Sequence, residues 1–178
     1  MHTETHSALL YSASDIEVLT EQALKKHPFL CRVGPDILDR ALTANDIVER
    51  LESKLFRNRA LGSLYLDQAF LAGIGNYLRS EILWAAMVSP QSKPAQLNAT
   101  SLNRIATQTL AISRRSYRTR GVTTPPKQVK ERKSLGMTYS QYRFQVFGRE
   151  GLECYACGSS IMRRMMGGRN VFICPACQ

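Results

Sequence analysis

Four cysteines carry the clearest chemistry in this sequence. Cys154 and Cys157 form one pair, Cys174 and Cys177 a second, and sixteen residues separate the pairs. Two Cys-x2-Cys motifs at that separation have the spacing of a zinc site. A tight turn in each pair puts two thiolates on one side of the ion, and four sulfurs complete its tetrahedral shell. No position is then left for water, so the expected cofactor is one structural zinc and not a catalytic one. Disulfide pairing is the competing reading, and it needs an oxidising compartment for which nothing else in the sequence argues. Zinc ribbons of this kind bind nucleic acids and proteins alike, so the cysteines alone leave function open.

The segment between the pairs predicts how they are held. Gly167 and Gly168 lie near its middle, followed by Val171, Phe172 and Ile173. That pattern reads as two short strands around a Gly-Gly turn, a hairpin clamped at its base by the metal. Arg169 falls at its tip. The fifth cysteine, Cys31, has no base or Cys-x2-Cys partner near it and is expected to be a small buried filler.

A second constellation lies at Gly73, Gly75 and Asn76. The glycines stop one helical pattern and a new one begins at Asn76, with Leu78, Ile82, Ala85 and Ala86 as its stripe, widened by Leu83 and Trp84. Free N–H groups and the positive dipole end at such a start favour an anion. Gly75 lets a phosphate approach the backbone and Asn76 adds a donor. An ordinary helix cap is the plain alternative.

The other elements are helical. Thr43 with Asp46 marks a helix start, followed by Ile47, Val48, Leu51 and Leu55 on one face; further helices are expected over 60–70 and 99–114. Ser14 with Glu17 has capping-box spacing, and Pro28 ends that short helix. Residues 8–12 read as a strand end, and 142–147 alternate like a strand leading into the hairpin. Residues 117–141 read as a basic mobile linker. The expected fold is mainly α, with residues 1–20 as a β-strand remnant and connecting segment, 21–135 helical and including the basic linker, and 136–178 the zinc-bound β-hairpin.

Charge is unevenly divided. Residues 1–111 hold 11 Lys and Arg against 11 Asp and Glu, whereas residues 112–178 hold 13 against 3, so the whole excess of +10 lies in the last 67 residues. Such polarity suggests a surface that meets a polyanion and releases its condensed counterions, with a solvated basic loop as the plain alternative. Membrane binding is disfavoured, because Arg114, Arg115, Arg118 and Arg120 lack an aromatic-rich apolar face beside them. No apolar run spans a bilayer and no signal-peptide pattern is seen, so a cytoplasmic, monomeric protein is expected.

The stretch from Asp67 to Trp84, joined to the four-cysteine hairpin, resembles the helix–two-turn–helix plus zinc finger of the formamidopyrimidine-DNA glycosylase/endonuclease VIII family. Residues 10–17, 27–30, 32–36, 56–59 and 174–178 extend the resemblance over about residues 9–178. It implies a base-excision repair glycosylase/AP lyase acting on oxidised pyrimidines in duplex DNA, damaged or abasic. By that resemblance Asn76 and Arg169 grip the phosphates flanking the damaged nucleotide, and Gly75 belongs to the same turn. Arg163 and Arg164 are further candidates for the backbone, and residues 117–141 lie where related enzymes carry a loop over the flipped base.

The family's chemistry runs through an amino-terminal Pro whose amine attacks the sugar C1′, a following Glu, and an assisting Lys. No residue of this chain matches these roles. Glu4 and Glu81 have no amine nucleophile near them in sequence, and Glu81 is expected to be structural. The expected function is therefore phosphate clamping without turnover. Two alternatives stay open: a non-catalytic damaged-DNA binder, and a zinc-ribbon module for RNA or protein.

Overall fold

The computed structural model describes residues 2–7, 9 and 16–178. Two compact units are present, Met1–Arg32 and Val33–Gln178. In the first, Thr20 accepts from the Ala23 N–H and starts the short helix α1 (Glu21–Lys25), which Pro28 follows. The expected strand at 8–12 and the helix start at Ser14 lie outside the described residues, Leu9 excepted. Cys31 is exposed, not buried.

In the second unit, Thr43 and Asp46 form the expected capping box of α2 (Ala44–Glu52): the Asp46 N–H donates to the Thr43 hydroxyl and the Thr43 N–H to the Asp46 carboxylate. Thr43→Ala is expected to cost about 1 kcal/mol, read as a lower urea midpoint at unchanged slope. Ile47 and Leu51 are buried, but Leu55 is 71% exposed because Ser53 turns extended and ends the helix before it. Helix α3 covers only Leu61–Leu64, not 60–70. Asp67 stops it, accepting the Ala69 N–H on its own carboxylate and the Phe70 N–H on its carbonyl, so tight turns replace the helical ladder.

Helix α4 (Asn76–Ala85) then starts where expected, and α5 (Ala99–Arg118) outruns its expected end by four residues. Leu102, Ile105, Ala106 and Ile112 of α5 bury against a core that includes Leu61, Leu64, Tyr65, Phe70, Leu78, Ile82 and Leu83. The Tyr65 hydroxyl is buried at 2.7 Å from the Thr109 hydroxyl, and burial raises its pKa.

Residues 117–141 are not a loose linker. Pro126 opens α6 (Pro126–Ser134), α7 (Tyr139–Tyr142) follows, and Thr123, Thr124 and Arg132 are buried. The hairpin is as expected: β1 (Met162–Met166) pairs antiparallel with β2 (Arg169–Ile173), Met166 facing Arg169 across Gly167 and Gly168. Both glycines have positive φ, which a two-residue turn of this hand requires. A second buried cluster (Val146, Cys154, Ile161, Cys174) lies beneath the hairpin, with Trp84 of α4 packed against it.

Candidate nucleic-acid interface

The four cysteine sulfurs lie within 4.8 Å of one another. Cys154 and Cys177 are 3.9 Å apart, Cys157 and Cys174 3.4 Å, Cys157 and Cys177 3.5 Å. A tetrahedral zinc with ordinary Zn–S bonds needs edges of about 3.8 Å, whereas a disulfide needs about 2.0 Å. The set fits a metal and excludes pairing. Two turns build it: the Gly158 N–H donates to Cys154 O, and the Cys177 and Gln178 N–H groups donate to Cys174 O. Ser159 pulls the Cys157 thiol down to about 6, while burial pushes Cys174 and Cys177 up. Four thiolates this close repel, and a central dication is what allows all four to ionise.

Tyr155, inside the first pair, is held between two buried guanidiniums. Arg149 lies 3.4 Å and Arg132 3.6 Å from its ring centroid. Arg132 of α6 also donates to Gln145 Oε1 at 2.8 Å, and Arg149 to the Gln145 and Glu153 carbonyls. The Tyr155 hydroxyl donates to Gln141 O. Burial lowers the pKa of both arginines. The cysteine-bearing hairpin segment and the basic helix α6 thus meet at one ring.

Glu81 organises the chain between them. Its carboxylate, 1% exposed, accepts N–H bonds from Gln145, Val146 and Phe147 and the Thr123 hydroxyl at 2.6 Å. Residues 142–147 are therefore not a strand: three of their N–H groups are spent on one carboxylate instead of a ladder. The structural role expected for Glu81 is what the contacts show.

The double turn before α4 is pinned from several sides. Gln68 accepts the Gly73 N–H and donates to Ile74 O. Arg50 donates to the Ala69 and Phe70 carbonyls, and Arg59 pairs with Asp67 at 2.6 Å. Gly73 has φ +90°, a conformation that side chains resist. Gly75 differs: its φ is −109° and a Cβ there would meet nothing within 4 Å. The fold leaves open space at Gly75, and no side chain caps the α4 N-terminus. The free N–H groups expected there point to an anion.

Asn76 and Arg169 are joined through Arg79, which the sequence did not single out. Arg79 is fully buried and donates to Asn76 Oδ1 at 2.6 Å, to the Arg169 and Asn170 carbonyls at 3.2 and 3.0 Å, and to Gly62 O and Met166 O at 2.8 and 2.9 Å. Burial first, and then Arg169, push its pKa down to about 10. One signal was available: α4 is apolar on more than one face, and a charged residue on such a helix must be satisfied inside. The Arg169 side chain is exposed. Arg163 is engaged by Glu150 at 3.0 Å, leaving Arg164 the freer of the two earlier candidates. No helix among the described residues is long and apolar enough to cross a membrane.

Comparison with known proteins gives this arrangement its relatives. A family model described as the formamidopyrimidine-DNA glycosylase H2TH domain matches residues 33–127. The Endonuclease 8 of Pectobacterium carotovorum subsp. carotovorum is 48% identical over all 178 residues, and that of Escherichia coli 49%. The chain spans 64% of the length of each. Among solved structures, the MutM (Fpg) protein of Thermus thermophilus superposes with a TM-score of 0.69 at 30% identity, covering 87% of this chain and 57% of that one. Lactococcus lactis Fpg, in complex with abasic-site-containing DNA, does so at 0.67 and 26% identity, over 89% and 56%. The matched model takes in the double turn, α4 and α5, more than half of the residues, and on that ground the chain belongs to the formamidopyrimidine-DNA glycosylase H2TH-domain family.

Proposed function

We propose that this chain clamps duplex DNA by its backbone phosphates, as the DNA-binding part of an endonuclease VIII-like base-excision repair glycosylase/AP lyase of the bacterial cytoplasm. The observation that carries the reading is the junction at Asn76: an uncapped helix N-terminus, open space at Gly75, and the hairpin carrying Arg169 tied to the same spot through Arg79. In this reading Gly75 lets a phosphate reach the backbone, and Asn76 Nδ2 and the Arg169 guanidinium donate to phosphate oxygens. Zinc in the Cys154, Cys157, Cys174 and Cys177 cage holds the hairpin and takes no part in bond breaking. The basic excess of residues 112–178 supplies the non-specific attraction.

Asn76→Ala and Arg169→Ala are each expected to weaken binding of an abasic-site duplex about tenfold, and Arg169→Ala to flatten the slope of log K against log salt by about 1. Unchanged affinity and slope for both variants would overturn the clamp. Within these residues no amine nucleophile is assigned, so borohydride with thymine-glycol or abasic duplex is expected to trap no covalent complex. A trapped adduct on the wild-type chain would contradict binding without turnover.

A further inference from the structure

The unusual feature of the junction is a buried arginine with no anionic partner. Among the described residues no carboxylate lies within ion-pair distance of Arg79. Every acceptor it meets is a neutral oxygen, and its Nε is buried without any partner. Burying such a charge is costly unless something offsets it. A fold that needed only a tie between helix and hairpin would be served by a neutral side chain or an ion pair.

The placement of its bonds is specific. Met166 and Arg169 are the pair that closes the Gly167–Gly168 turn, and Arg79 donates to the carbonyl of each, holding the tip at its base. A further bond to Gly62 O fixes α3. The Asn76 contact has a chemical consequence. An amide side chain has one acceptor and one donor end. With Oδ1 occupied by Arg79 at 2.6 Å, the Nδ2 donors are the end left for a ligand. Without Arg79 the amide is free to turn its oxygen outward, which repels a phosphate.

We propose that Arg79 is the positioning residue of the clamp: it orients the Asn76 amide donor-outward, locks the turn that presents Arg169, and has the bound backbone phosphate as the counterion its own charge lacks. The inference rests on the phosphate-clamp reading of the same site. Lysine cannot replace it, because one ammonium with three donors does not span the five oxygens that the planar fork reaches.

The test is a mutant cycle on the full chain, loaded with zinc, binding a duplex that carries a tetrahydrofuran abasic analogue. Arg79→Met is expected to lose about 50-fold in affinity, and Arg79→Lys to recover no more than about threefold of it. Asn76→Ala, which costs about tenfold in the wild-type background, is expected to cost less than about twofold once Arg79 is Met, since the amide it removes is no longer oriented. Losses that multiply independently, or full binding by Arg79→Lys, would overturn the proposal while leaving the DNA reading intact. A wild-type chain that does not bind the duplex would sink both. Should Arg79→Met fail to fold, nitrogen-15 NMR of the wild type decides. Restricted Arg79 Nη–H signals, together with Asn76 Nδ2–H signals that shift on adding duplex, are expected. A freely rotating guanidinium or an unresponsive Asn76 amide would refute it.

Discussion

Glu81→Ala is expected to destabilise the protein by about 3–5 kcal/mol, a large share of the 5–15 kcal/mol that holds an ordinary domain folded. The carboxylate, itself 1% exposed, accepts from three successive backbone N–H groups and the Thr123 hydroxyl. Its removal leaves three backbone donors without an acceptor and the Thr123 hydroxyl with only its longer bond to the Arg143 carbonyl, and it is the unmade bonds that cost most. Glu81→Gln keeps one oxygen but turns an NH2 toward donors, so a loss of about 2–3 kcal/mol is expected. Urea unfolding measures both, and hydrogen exchange localises them: protection at Gln145, Val146 and Phe147 should fall before that of α5. A Glu81→Ala protein within 1 kcal/mol of wild type would show that these N–H groups find other partners.

Removal of the metal should have the other large effect. Chelation, or Cys174→Ser at a fully buried ligand position, is expected to cost several kcal/mol, because binding energy at a structural zinc is folding energy. The damage should spread in a defined direction. Amide protection across 154–177 should collapse, and α6 should lose protection with it, because Arg132 is stacked on Tyr155 between two of the ligands. Helices α2, α4 and α5 have a separate apolar core and should keep their helical circular dichroism. Tyr155→Leu should loosen α6 while the protein still carries one zinc, which separates the ring's role from the ion's. Protection of α6 that survives chelation unchanged would refute this coupling.

Local patterns were legible wherever a few neighbouring residues fix a backbone. The Thr43–Asp46 capping box, the start of α4 at Asn76, the Gly167–Gly168 turn and the four-cysteine cage all depend on short-range spacing, and all are present. The misread segments share another cause. Residues 60–70 carry helical periodicity, yet the Asp67 carboxylate offers the chain a competing acceptor. Residues 142–147 alternate like a strand, but Glu81, more than sixty positions away, claims their N–H groups.

The sequence by itself determined the four-cysteine cage, the helix that begins at Asn76, the hairpin with Arg169 at its tip, and the family to which they point. Only the tertiary structure decided that Asn76 and the hairpin tip meet at one buried guanidinium. In sequence, the apolar faces of α4 hint at burial of Arg79 without naming its partners and Arg132 looks like a surface charge, because composition records charge but not what surrounds it. Each is buried by partners from distant segments, Gly62 and the hairpin for one, Tyr155 and Gln145 for the other. A buried guanidinium is stable only where several remote acceptors converge on it. That convergence is a property of the fold, and it is what ties Asn76 and the Arg169 carbonyl to one guanidinium.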